Sequence, residues 1–122
     1  LAVLEKRVHL SIGACDVYIK VAGSIKIDEP AADLGLCVAM ASSFANRRLL
    51  PKTIVFGEVG LSGEVRAVSQ ADIRIREAAK LGFHHVVLPK KNYEQLKGSV
   101  QGIRLFGAEN IGDALKLAMP RQ

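Results

Sequence analysis

The spacing of apolar residues changes several times along the chain, and each spacing predicts a different element. Polar and apolar side chains alternate over residues 16–22, which predicts a strand paired with residues 7–12 across a turn at Gly13. A short, half-polar segment follows at residues 24–29. Compact runs of β-branched and apolar residues predict further strands, at residues 53–56, 64–68, 85–88 and 103–106.

Helical spacing of apolar residues alternates with these strands. It predicts amphipathic helices over residues 31–46, 69–81, 92–97 and 110–119. Pro30 suits the first turn of the first helix, where a missing N–H costs nothing. Helices and strands mixed in this order, beginning with a hairpin, predict an α+β (or α/β) fold with one mixed sheet.

Capping residues mark the ends of the later helices. Ser69 and Asp72 have the spacing of a capping box, and Gly82 stops the helix that they begin. Asn110 and Asp113 cap the last helix, which Pro120 ends.

Composition places the chain among single globular domains: 122 residues, 49% hydrophobic and 24% charged. Its longest apolar runs are far shorter than a membrane span, so we expect no membrane partner. Cys15 and Cys37 are too few for a disulfide framework and are expected to be reduced thiols in the cytoplasm, with Cys37 in the core. Because the chain starts at Leu1 without a targeting pattern, we expect a piece of a longer protein.

The net charge of +5 is unevenly distributed. Residues 41–91 carry nine basic and four acidic residues, a surplus equal to that of the whole chain. A basic surface gains affinity for a polyanion by releasing counterions from its phosphates. A solvated surface that keeps the domain soluble explains the same surplus equally well.

The sequence offers little for metal or nucleotide chemistry. Gly57, Gly60 and Gly63 lack the lysine and hydroxyl residue of a phosphate loop and are expected to permit turns. The three histidines, His9, His84 and His85, have no metal-ligand spacing with the cysteines. We therefore expect no metal and no cofactor in these residues.

Two stretches carry a family resemblance: residues 26–34 (KIDEPAADL) and residues 57–83, which begin GEVGLSGEVR. They resemble the C-terminal domain of the bacterial RadA (Sms) family of DNA repair proteins, which is similar to the proteolytic domain of Lon protease. The resemblance covers residues 2 to about 119. It implies a Lon-like fold of the ribosomal protein S5 domain 2-like architecture.

The resemblance also implies partners for a longer protein. RadA proteins resemble ring-forming ATPases that drive branch migration of recombination intermediates, so ATP, magnesium and zinc are expected in segments other than this one. The implied partners are single-stranded or branched DNA, further copies in a hexamer, and the recombinase RecA. This domain would then serve ring assembly and DNA contact, or ring assembly alone.

Lon proteases use a serine nucleophile and a lysine base. The position matching the serine is Ala31 here, and the position matching the lysine is Asp72, which we interpret as a helix cap. The resemblance therefore implies that this chain is not an enzyme. A residual peptidase would need Ser24, Ser42 or Ser43 instead, and no lysine or histidine has a spacing that pairs with them.

The basic residues give the candidate DNA contacts. In a Lon-like fold, Lys26 and Arg66 should border the former cleft, so they form the leading pair. The other candidates are Arg47, Arg48 and Lys52 after the first helix, and Arg74, Arg76 and Lys80 along the second. With few aromatic residues and no interleaved basic-aromatic motif, we expect phosphate contact without base readout. Each of these basic residues could equally be a solvated surface side chain without a DNA contact.

Overall fold

In the computed structural model, residues 30–45 and 48–119 are described, so the predicted hairpin and the segment 24–29 lie outside the described residues. Within them, the chain forms four α-helices and five strands. The helices are α1 (Asp33–Ala45), α2 (Ala71–Lys80), α3 (Lys90–Leu96) and α4 (Ile111–Ala118). The strands are β1 (Thr53–Val55), β2 (Glu58–Val59), β3 (Val65–Arg66), β4 (His85–Pro89) and β5 (Arg104–Ala108). The α+β class predicted from the sequence is confirmed.

The described strands form two sheets. One is parallel, in the order β1-β4-β5, with Thr53 opposite His85 and His85 opposite Arg104. The other is the antiparallel pair β2-β3, with Glu58 opposite Arg66. Parallel strands need crossover connections. Helix α2 lies in the connection from β1 to β4, and α3 lies in the connection from β4 to β5.

Helices cover both faces of the parallel sheet. Val87 of the central strand packs in a cluster with α1 and α4, whereas Val86 and Leu88 pack in a second cluster that includes Ala71, Ile75 and Ala78 of α2. Neighbouring residues of a strand point to opposite faces, which explains why β4 is apolar at every central position. Cys37 is fully buried in the first cluster, as predicted.

Helix α1 lies very close to β1. A Cβ atom on Gly35 would approach the Val55 carbonyl oxygen to 2.7 Å, so only glycine permits this approach. Pro30 lies just before α1, in a 3-10 turn that spans Pro30–Ala32.

Two of the predicted helix ends are confirmed. The Asn110 side chain accepts a hydrogen bond from the Asp113 N–H at 2.8 Å, which caps α4. Gly82 has φ +90° after α2, and the N–H groups of Gly82 and Phe83 donate to the carbonyls of Ala79 and Ala78. This is the Schellman arrangement that the glycine predicts.

The predicted start of α2 is wrong. Its N-cap is Gln70, held at φ 57°, and no side chain caps the helix, so neither Ser69 nor Asp72 has the predicted capping role. Asp72 instead pairs with Arg76 one turn later, at 3.8 Å. The physical reason lies outside the helix, in the two hydrogen bonds from Asn92 that fix Val68 before the helix begins.

The glycine-rich turn between β2 and β3 behaves as predicted at Gly63, where φ is +82°. A Cβ atom on Gly60 would overlap the Glu64 carboxylate, so a larger residue there would displace this side chain. Gly57 also has positive φ, +157°, and a Cβ atom would lie 3.2 Å from Leu34.

Candidate nucleic-acid interface

Ala31 sits where the start of α1 meets the end of β1. Its carbonyl accepts a hydrogen bond from the Gly57 N–H at 2.8 Å, and the Leu34 N–H donates to the Gly57 carbonyl at 3.0 Å. These two bonds fix the 3-10 turn against the carboxyl-terminal edge of the parallel sheet. Ala31 is buried, with 5% of its surface exposed, so this position presents a methyl group packed into the protein.

Asp72 lies at the same edge of the sheet, in the first turn of α2. Asn92, three residues after β4, accepts from the Val68 N–H at 2.9 Å and donates to the Val68 carbonyl at 3.0 Å. Because Asn92 follows the carboxyl end of β4, these bonds bring the start of α2 to that edge. Ala31 and Asp72, the two positions that the resemblance predicts to match the Lon dyad, therefore share one edge, and they carry a methyl group and a carboxylate.

Arg66 is also at this edge, in acidic surroundings. Its Nη2 lies 3.3 Å from Glu64 Oε2, and Glu58 is its partner across the antiparallel pair. The N–H groups of Glu64 itself and of Ser62, together with Arg66, hold the pKa of the Glu64 carboxyl below its ordinary value, although partial burial opposes them. Much of the charge of Arg66 is thus already balanced.

Asp33 adds a further acidic group beside the former cleft. Burial raises the pKa of this carboxyl, a hydrogen bond from the Val59 backbone lowers it, and the nearby Glu58 carboxylate raises it again. The net direction is upward. The cleft edge therefore combines Arg66 with the carboxyl groups of Asp33, Glu58 and Glu64.

Helix α2 carries three of the predicted contacts. Ala71, Ile75 and Ala78 form its buried stripe, which leaves Arg76 and Lys80 exposed and Arg74 half-buried. Arg76 is paired with Asp72, whereas Lys80 extends from the last turn of the helix.

Arg48 and Lys52 lie at the opposite, amino-terminal edge of the parallel sheet. Both are exposed, and the Lys52 carbonyl accepts from the N–H groups of His84 and His85, at 2.8 and 3.1 Å. The end of α2 leads directly to this edge, so Lys80 belongs with them. Of the remaining predicted contacts, Lys26 and Arg47 lie outside the described residues.

The structure thus divides the predicted contacts between two edges instead of gathering them in one patch. Sequence reasoning also missed residues of interest. Asn92 is the buried polar residue that positions the start of α2, and Arg104 and His84 stand at the amino-terminal edge beside Lys52. The available signal was a polar residue at or directly before the start of a strand, but only the strand order places these residues side by side.

Within residues 30–45 and 48–119, no group of three or more His, Cys, Asp or Glu side chains is arranged to hold a metal ion. No helix among the same residues is both long enough and apolar enough to cross a membrane.

The family of the chain follows from comparison with known proteins. Residues 5–121 match the family model of the Lon protease (S16) C-terminal proteolytic domain. The chain therefore belongs to this family, and the Lon-like fold predicted from the sequence is confirmed.

Particular relatives narrow the comparison. The chain is 47% identical over 99% of its length to the DNA repair protein RadA of Halalkalibacterium halodurans, and 44% identical over 98% of its length to the RadA proteins of Listeria monocytogenes and Bacillus subtilis. In each comparison it covers 26% of the relative. The resemblance to RadA proteins is confirmed, and the chain spans about a quarter of the length of the curated relatives it matches.

Proposed function

We propose that this chain is a non-proteolytic Lon-like domain of a RadA-type DNA repair protein, where it takes part in hexamer assembly and binds DNA without sequence preference during branch migration. In this proposal the longer protein works in the cytoplasm with the recombinase RecA, and its other segments hold ATP, magnesium and zinc. The observation that carries the proposal is the identity to RadA proteins over nearly the whole chain.

The loss of proteolysis is supported by the chemistry of the two dyad positions. Hydrolysis by a Ser-Lys dyad needs a hydroxyl that attacks and an amine that accepts its proton. Ala31 provides neither a hydroxyl nor a thiol, and Asp72 is a half-exposed carboxylate paired with Arg76. Neither residue can replace the group that the mechanism needs.

The peptidase alternative has a direct test. The unaltered chain should leave an unfolded protein such as casein intact, whereas the double variant Ala31→Ser, Asp72→Lys restores both reacting groups and is the variant in which cleavage could appear. Cleavage by the unaltered chain, resistant to removal of contaminating proteases, would contradict the proposal.

DNA contact is supported by the basic surplus and by exposed arginine and lysine side chains. Lys26 and Arg66 are the leading pair predicted from the sequence. In fluorescence anisotropy with labelled DNA of mixed sequence, binding should weaken steeply with salt, and each lost phosphate contact should reduce the salt slope by about one. An unchanged affinity and slope in Lys26→Ala, Arg66→Ala would exclude this pair, and an absence of binding by the unaltered chain would exclude DNA contact.

A purely structural scaffold is the second candidate. Leu61, Ile73 and Leu81 are large apolar residues with 67%, 53% and 69% of their surfaces exposed, and in this candidate function further copies of the chain would cover some of them. Light scattering at several concentrations measures self-association directly. A chain that assembles but ignores DNA would favour the scaffold over the DNA-binding domain.

A further inference from the structure

The amino-terminal ends of the three parallel strands carry basic residues side by side. The Lys52 carbonyl accepts the His84 N–H at 2.8 Å, and the His84 carbonyl accepts the Arg104 N–H at 2.8 Å. These two bonds place Lys52, His84 and Arg104 at the ends of adjacent strands, in the order β1-β4-β5. With neighbouring strands about 4.8 Å apart, the row spans about 10 Å. All three residues are exposed.

Two further basic residues lie beside this row. We call the row and these two residues together the amino edge. Arg48 is exposed in the segment that leads into β1, and the Leu50 N–H donates to the Ala118 carbonyl at 2.7 Å, which anchors the segment to the end of α4. Lys80 is exposed in the last turn of α2, just before β4. The amino edge therefore consists of Arg48, Lys52, Lys80, His84 and Arg104.

The amino edge gathers basic side chains that have no carboxylate partner among the described residues. Elsewhere, Arg66 is paired with Glu64, Arg76 with Asp72, Lys90 with Glu109 and Lys97 with Glu94, whereas Lys91 and Lys116 form no ion pair with the described residues but lie apart from each other in the chain. Within the amino edge, Arg48, Lys52, Lys80 and Arg104 form no ion pair with any of the residues that the structure describes. No carboxylate of the described residues balances their positive charge.

Lys52 is held in an unfavourable backbone conformation. Its φ is 56°, in the left-handed region that favours glycine or asparagine, directly after Pro51 in the turn before β1. A long basic side chain at such a position is unusual on structural grounds alone. Gln70, at φ 57°, is the other described non-glycine residue in this region, so the conformation of Lys52 supports a functional role only together with its place in the row.

We infer that the amino edge is a phosphate-binding surface for the DNA backbone, separate from the former cleft where Arg66 lies. The inference rests on the proposed function and specifies the surface that performs it. Unpaired lysine and arginine side chains in a row would neutralise successive phosphates and release their counterions, with no need to read a base. Arg66 is less suited because Glu64 and Glu58 would repel the same phosphates.

Favourable interaction with helix ends is an alternative reason for some of these basic residues, and an experiment can distinguish it from phosphate binding. The helices α1, α2 and α4 end towards the amino edge, and cations near a helix carboxyl terminus are favourable. That effect applies to Lys80 in the last turn of α2, but Lys52 and Arg104 lie outside any helix. Lys52 and Arg104 are therefore the residues to change.

The test compares two double variants of equal net charge. Lys52→Gln, Arg104→Gln removes two charges from the amino edge, and Lys91→Gln, Lys97→Gln removes two exposed charges from α3 and its end. Anisotropy titrations with single-stranded and duplex DNA are run from low to moderate salt. Circular dichroism melts and light scattering on the same samples establish that fold and mass are unchanged.

The edge variant should bind DNA about tenfold more weakly at 0.1 M salt, the loss that two exposed charge contacts of ordinary strength produce. Its salt slope should fall by about 1.4 with single strands and about 1.8 with duplex. The α3 variant should retain the original slope. Equal weakening in both double variants would overturn the inference but leave DNA binding intact, whereas no DNA binding by the unaltered chain would overturn the proposed function as well.

Discussion

Asn92 binds both backbone polar groups of Val68, through Oδ1 to the N–H at 2.9 Å and through Nδ2 to the carbonyl at 3.0 Å. Asn92 is 4% exposed, the one buried polar residue among those that the structure describes. The pair joins the segment before α2 to the start of α3, across 24 positions of sequence. It therefore acts as a tertiary connection that orders the first turn of α2.

Removing this connection should destabilise the fold. Asn92→Ala removes two hydrogen bonds and leaves the Val68 groups without their partner, so we expect the free energy of unfolding to fall by about 2–3 kcal/mol in urea titrations. Asn92→Asp keeps the acceptor and loses the donor, at the added cost of a buried charge. A loss below about 0.5 kcal/mol in Asn92→Ala would contradict the proposed role.

Replacing Lys52 by glycine should raise stability while it weakens DNA binding. Relief of the left-handed conformation is worth about 1–2 kcal/mol, and the greater chain entropy of glycine offsets about 0.5–1 kcal/mol of it. We expect a net gain of about 0.5–1 kcal/mol in the free energy of unfolding. Lys52→Gln provides the comparison, because it removes the same charge and keeps the backbone cost; equal stability of the two variants would count against strain at this position.

The two predicted helix caps should differ sharply in their energetic value. Asn110→Ala removes the cap of α4 and should lower the free energy of unfolding by about 1 kcal/mol. Ser69→Ala should change it by less than about 0.5 kcal/mol, because Ser69 is exposed and α2 has no side-chain cap. Thermal and urea unfolding of both variants measure the difference, and similar losses would contradict the absence of a capping role for Ser69.

The stabilisation from Glu64 should depend on pH in a defined direction. Because the pKa of its carboxyl is lowered in the folded chain, its contribution is fully present above the ordinary value of 4.5 and is lost as pH falls through the lowered value. Glu64→Gln should therefore be less stable than the unaltered chain at pH 7, with the gap closing under acid conditions. A gap that persists at pH 2 would point to packing against Gly60 as its cause.

The sequence predicts elements well where local signals and tertiary structure agree. Helix α4 has a cap at Asn110 and a regular apolar stripe, and both are present in the structure. The start of α2 was mispredicted because Gln70 adopts its conformation next to a segment fixed by Asn92, and no local pattern reveals that partner. The local sequence favours Ser69 as the N-cap, whereas in the structure a contact between residues distant in sequence precedes an N-cap at Gln70.

The candidate site shows the same limit. Ala31 and Asp72 are identified from a family resemblance, and the structure brings both to one edge of the sheet. The amino edge has no sequence signature, because Lys52, His84 and Arg104 are separated by whole helices in the chain. Their proximity depends on strand order and register, which single residues do not encode.

The central place of β4 has a consequence for how the domain opens. Strands β1 and β5 flank it on either side, and helical layers cover both faces, so Val86, Val87 and Leu88 have no exposed surface. Fraying at a helix end or a loop should therefore leave their amide groups protected. We expect hydrogen exchange at these three positions to be slow and to report the global unfolding equilibrium of the domain.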